Sequence, residues 1–79
     1  LISQIELREQ LESIKEQQDN LALDDFIERV QDFIRDNVAS ISEAFTQSRD
    51  LQEIKTLVRE LKFYEQLNKE ANILMDEWL

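Results

Sequence analysis

The 79 residues include no glycine and no proline. Those two residues supply tight turns, left-handed backbone positions and breaks in regular structure. A chain without them is confined to a few long elements with short connections. The apolar residues are mostly Leu, Ile and Ala and the polar ones mostly Glu, Gln, Asp, Lys and Arg. Asp and Ile aside, these are strong helix formers. The expectation is therefore all-α, and one domain spanning 1–79, because a chain this short buries only about 60–65% of its unfolded surface and has no room for a second core.

Apolar spacing divides the chain into three helices. The first is expected from about Leu1 to Gln18, with Leu7, Leu11 and Ile14 at i, i+4 and i+7 forming one stripe. The second starts near Asn20, a good N-cap type, and runs to about Phe45. Its apolar positions are Leu23, Phe26, Ile27, Val30, Phe33, Ile34, Val38, Ile41 and Phe45, and Asp24, Asp25 and Glu28 complement the dipole in its early turns. A break at 46–50 leads to Asp50, which with Glu53 resembles a capping box. The third helix carries Leu51, Ile54, Leu57, Val58, Leu61, Tyr64, Leu67, Ala71, Leu74, Met75 and Trp78. Hinges of a few residues make consecutive helices antiparallel. The predicted architecture is an open three-helix up-and-down antiparallel bundle, its second and third helices extending beyond the first. The apolar surface at that open end calls for a cover, either another part of a parent chain or a second copy. The aromatics Phe26, Phe33, Phe45, Tyr64 and Trp78 fall at core spacing and read as packing.

Composition removes most kinds of chemistry. Cysteine and histidine are both absent, so no disulfide, zinc site, thiolate nucleophile or imidazole base can be built within the chain. The lack of disulfides fits a reducing, cytoplasmic setting. No 18-residue stretch is apolar enough to span a membrane. The chain begins at Leu1 with no targeting segment, which reads as a fragment of a longer protein. Eighteen acidic against nine basic residues give a net charge of −9. A field of that sign disfavours nucleic acid and anionic lipid as partners and favours a basic protein patch, or serves solubility alone. The adjacent pairs Asp24-Asp25 and Asp76-Glu77 diverge by about 100° on a helix, so neither converges on a substrate. No phosphate loop can form without glycine. The chain is not expected to be an enzyme, or to hold a cofactor or metal.

One feature of the first helix is not explained by the core. At about 100° per residue, Leu1, Ile2 and Ile5 point about 160° away from the Leu7–Leu11–Ile14 stripe. Glu6, Glu9 and Ser13 share their side, with Glu12 and Glu16 close by. An apolar patch bordered by carboxylates suits a partner that offers a hydrophobic pocket ringed by Lys or Arg. The other readings are contact with an upstream part of the parent chain and a frayed terminus. On the third helix, Phe63 points about 120° away from the Leu57, Leu61, Tyr64 and Met75 stripe. It is either a flank of the core or an interface anchor.

Three stretches carry a resemblance. Residues 1–12, LISQIELREQLE, are similar to the LMEQLELREELDE stretch of the HscB family of J-domain co-chaperones of iron–sulfur cluster assembly. Phe26-Ile27-Glu28-Arg29-Val30 resembles that family's FIKRV, and residues 58–67, VRELKFYEQL, resemble its VRKLRFLDKL. The resemblance implies a C-terminal three-helix domain that docks an IscU-type cluster scaffold. It places stimulation of an HscA-type Hsp70 in a J-domain whose His-Pro-Asp motif this chain lacks. By alignment the scaffold-binding positions are Leu1, Ile2, Ile5 and Phe63, with Glu6 and Glu9 as the acids. The family's next acidic position falls on Ser13, with Glu12 or Glu16 as possible replacements. The family domain has also been regarded as an oligomerisation unit. The competing functional classes are a helical oligomerisation segment without a client, distinguishable by sedimentation, and an acidic mimic that occupies a basic nucleic-acid site.

Overall fold

Each helix begins at a side chain that takes up an otherwise unpaired backbone N–H. The computed structural model describes residues 3–79. Ser3 has extended dihedrals and its Oγ accepts from the Glu6 N–H at 3.2 Å, so α1 spans Gln4–Gln17. The expected start at Leu1 is thereby corrected, and Leu1 and Ile2 lie outside the described residues. Helix α2 spans Asn20–Thr46 and is capped by Asp19, whose Oδ1 accepts from the Ala22 N–H at 3.1 Å. The sequence favoured Asn20 as the cap. Asp19 takes that role because it is the last extended residue, whereas Asn20 is already helical. Helix α3 spans Leu51–Trp78 behind Asp50, whose Oδ1 accepts from the Gln52 N–H at 3.1 Å. Glu53 turns to the Arg49 guanidinium at 3.1 Å instead of reaching back to Asp50, so the N-cap is as expected and the second half of the box is not.

Both hinges use left-handed backbone without glycine. Gln18, at φ 50° and ψ 43°, closes α1 with its N–H directed at the Ile14 and Lys15 carbonyls, and Ser48 has φ 53° between α2 and α3. An L-residue there costs roughly 1–2 kcal/mol, which the two hinges bear where the chain reverses.

The three helices form the open up-and-down antiparallel bundle predicted from the spacing. Phe33 stacks on Tyr64 and Asn37 bonds Glu60, so one residue number rises along α2 as the other falls along α3. The core joins Leu7, Leu11 and Ile14 of α1 to Leu23, Phe26, Ile27 and Val30 of α2 and to Leu67, Ala71 and Leu74 of α3. Helix α1 has 14 residues and α2 has 27. At 1.5 Å per residue, α2 and α3 run on about 20 Å beyond the start of α1, giving a body of 44 × 21 × 16 Å.

That extension corrects part of the predicted core. Val38 is 49% exposed and Phe45 63% exposed, and Leu51 is also exposed, while Asn37, Ala44 and Ile54 are buried. Without a third helix, two helices bury only the positions on the line between them. Small Ala44 permits close approach there, and the flanking apolar positions stay wet. Phe45 is accordingly not a packing residue. Phe26 is fully buried, and Phe33, Tyr64 and Trp78 are partly buried against the core.

Candidate protein-docking surface

The outward side of α1 is formed as the helical phase requires. Leu7, Leu11 and Ile14 take the inner stripe, which leaves Ile5 71% exposed, with Glu6, Glu9, Ser13, Glu12 and Glu16 also exposed. An aliphatic side chain that exposed, among carboxylates, contributes nothing to the core. Leu1 and Ile2, the other two apolar positions of the expected face, lie outside the described residues.

Phe63 is brought to α1 by a residue the sequence reading passed over. The Arg8 guanidinium carbon lies 5.7 Å from the centroid of the Phe63 ring, and Arg8 Nη1 donates to Glu70 Oε1 at 3.0 Å, with Oε2 at 2.9 Å. Arg8 therefore clamps α1 to α3 through a cation–π contact and an ion pair, both partly exposed. The Phe63 ring also meets Tyr64 edge-on at 5.6 Å. Phe63 is half-buried and packs against the core, so it is a core flank with a remaining open side. Ile5 and Arg8 are three positions apart, so both lie on neighbouring positions of one face. Phe63, Arg8, Ile5 and Glu9 thus follow one another across the surface from α3 onto α1. Glu70 neutralises Arg8, which leaves the carboxylates of Glu6 and Glu9 to set the local potential. The i, i+3 spacing of Ile5 and Arg8 was visible in the sequence. The pairing of Arg8 with Glu70, 62 positions away, was not.

On the α2 side, Arg29 donates to Gln10 Oε1 at 3.2 Å and its Nε lies 3.3 Å from Asp25. Ser13 lines a shallow groove with Asp25 and Arg29. Glu12 lies on the other flank of α1, beside Lys15 and Glu77, so it does not stand in for an acid at Ser13 in space. Glu16 is exposed.

Tyr64, beneath this surface, has its phenol pKa raised above 10.0, first by burial and then by the neighbouring Glu60 carboxylate. Among the described residues there is no group of three or more side chains able to hold a metal ion, and no helix is long and apolar enough to cross a membrane.

Residues 1–72 match the model of the HSCB C-terminal oligomerisation domain. The chain belongs to that family. The match covers all of α1 and α2 and most of α3, and with them every position named above from Leu1 to Glu70. Neither the curated proteins nor the solved structures yield a match. HscB-type proteins are co-chaperones of iron–sulfur cluster assembly.

Proposed function

We propose that this HscB-family domain docks an IscU-type cluster scaffold protein, which the cytoplasmic co-chaperone then delivers to an HscA-type Hsp70. The docking face combines Leu1 and Ile2 at the beginning of the sequence with Ile5, Glu6 and Glu9 of α1 and Phe63 of α3. The observation that carries this reading is Ile5: 71% exposed, flanked by carboxylates and one helical step from Arg8, which covers Phe63. Apolar groups at such a site supply affinity once a partner excludes water, and the acids steer a basic rim into register. Contact with the Hsp70 falls to a J-domain and not to this face.

Titration calorimetry of an IscU-type scaffold against the domain tests the assignment. Replacing Ile5 and Phe63 by Ala should weaken binding by roughly 30-fold or more, since an interface anchor is worth about 2 kcal/mol, with helicity unchanged. Unaltered affinity would remove the face from consideration.

A second reading rests on the open end, where Val38, Phe45 and Leu51 are exposed in a family described by oligomerisation. Self-association through that end predicts a sedimentation coefficient that rises with concentration and returns to the monomer value in Phe45→Glu. The two readings use different stretches of α3, its start at Leu51 and its middle at Phe63, and are separable.

A further inference from the structure

Beyond the first turn of α1 the cleft between α2 and α3 continues, uncovered among the described residues. On α2, Phe33 and Asn37 continue the Arg29 stripe in steps of four. On α3, Glu60 precedes Tyr64 by four. Phe33, Asp36, Asn37, Ser40, Leu57, Glu60 and Tyr64 line a groove of about 300 Å³ there. It opens next to Phe63, whose ring touches Tyr64.

The charges in its lining, Asp36 and Glu60, are of one sign. Asn37 is only 6% exposed, its Nδ2 donates to Glu60 Oε2 at 3.4 Å, and its Oδ1 has no hydrogen-bond partner. Turning the amide over would set its oxygen against the Glu60 carboxylate, so the bond to Glu60 fixes which atom is left unsatisfied. A buried acceptor without a donor is costly and needs a reason. Among the described residues, the cations at Arg8, Arg29, Arg35 and Arg49 pair with other acids, and none pairs with Asp36 or Glu60. Phe33 and Tyr64 stack at 5.4 Å to form an aromatic wall. Carboxylates, an amide oxygen and π faces all favour a positive charge. Two carboxylates are too few for a metal ion, whereas an ammonium or guanidinium group uses its carbon stem against the rings and its N–H donors on the acceptors.

We infer that this groove is a cation-accepting subsite of the docking surface, filled by a Lys or Arg side chain of the bound scaffold protein beside the contact at Phe63. The inference rests on the scaffold-docking reading above and adds a specificity element to it. Asn37 and Glu60 select a basic residue at one register position, and Phe63 supplies the apolar anchor.

Titration of an IscU-type scaffold against four forms of the domain tests this: wild type, Glu60→Gln, Asn37→Leu and Phe63→Ala. Glu60→Gln keeps an acceptor for Asn37 and should weaken binding roughly ten-fold and flatten its salt dependence. Asn37→Leu removes the orphan acceptor, so it should unfold no earlier than wild type and still bind more weakly. The Asn37 side-chain amide signals should shift when the scaffold is added to wild type. Wild-type affinity and salt dependence in both groove variants, with binding lost in Phe63→Ala, would overturn the subsite and leave the docking face standing. Wild-type affinity in Phe63→Ala, or no binding by the wild-type domain, would overturn both.

Discussion

Leu7→Ala probes how firmly the proposed docking face is attached to the rest of the domain. Three buried side chains of α1, Leu7, Leu11 and Ile14, enter the core. At about 1.5–3 kcal/mol per fully buried side chain, they contribute roughly 5–9 kcal/mol of burial to α1 attachment, before its ordering entropy is subtracted. Leu7 is 1% exposed, and truncating such a leucine costs about 2–5 kcal/mol. That removes a large part of what holds α1 while leaving the α2–α3 pair intact. Helix α1 should therefore open by itself. A loss of about 3 kcal/mol raises its open population roughly 150-fold. Hydrogen exchange followed residue by residue reads this directly: amides of α1 lose protection in Leu7→Ala, and those of Val30 and Leu67 change less. Scaffold binding should weaken in parallel, although no docking residue is altered. The control is Ile54→Ala, in the two-helix extension, which should lower the unfolding midpoint without selectively exposing α1. If Leu7→Ala lowered protection equally in all three helices, the attachment argument would be refuted, because α1 would then unfold only with the whole bundle.

Two further outcomes follow from local geometry. Gln18→Gly relieves a left-handed residue at the α1–α2 hinge and should stabilise the domain by up to about 1 kcal/mol, read as a higher urea midpoint with an unchanged m-value. Tyr64 is the only tyrosine, so absorbance titration reports it alone. Its folded pKa lies above 10.0, so the folded state holds its phenol proton more tightly than the unfolded chain. Its stabilising contribution is complete below 10.0 and is lost as pH rises through the folded value. Glu60→Gln should bring the pKa part of the way down, since burial is the larger cause. A return to the ordinary value would make the carboxylate the main cause instead.

The family and the helical architecture were readable from residues alone, because each rests on local pattern. The stretches at 1–12, 26–30 and 58–67 together pointed to the family without reference to any contact, and Leu7, Leu11 and Ile14 revealed their shared face by spacing. Ile5 was readable for the same reason, since a helix cannot bury two opposed sides in one core. Phe63 was ambiguous because helical phase gives a direction and not a neighbour. Only the packing of α1 set Arg8 over its ring and Glu70 beside Arg8.

The missing glycines and prolines determined that this chain would be long helices with short hinges, since the two strongest breakers of regular structure are absent and only Asp, Asn and Ser remain to end a helix. They did not determine how the hinges would turn. Chain reversal needs left-handed backbone at Gln18 and Ser48, and packing supplies the energy to hold it. Periodicity placed Val38 and Phe45 in the core, yet helix length decided otherwise. Helix α1 stops short, two helices bury only the line between them, and Asn37 and Ala44 occupy it. The unsatisfied oxygen of Asn37 exists only because of that tertiary arrangement.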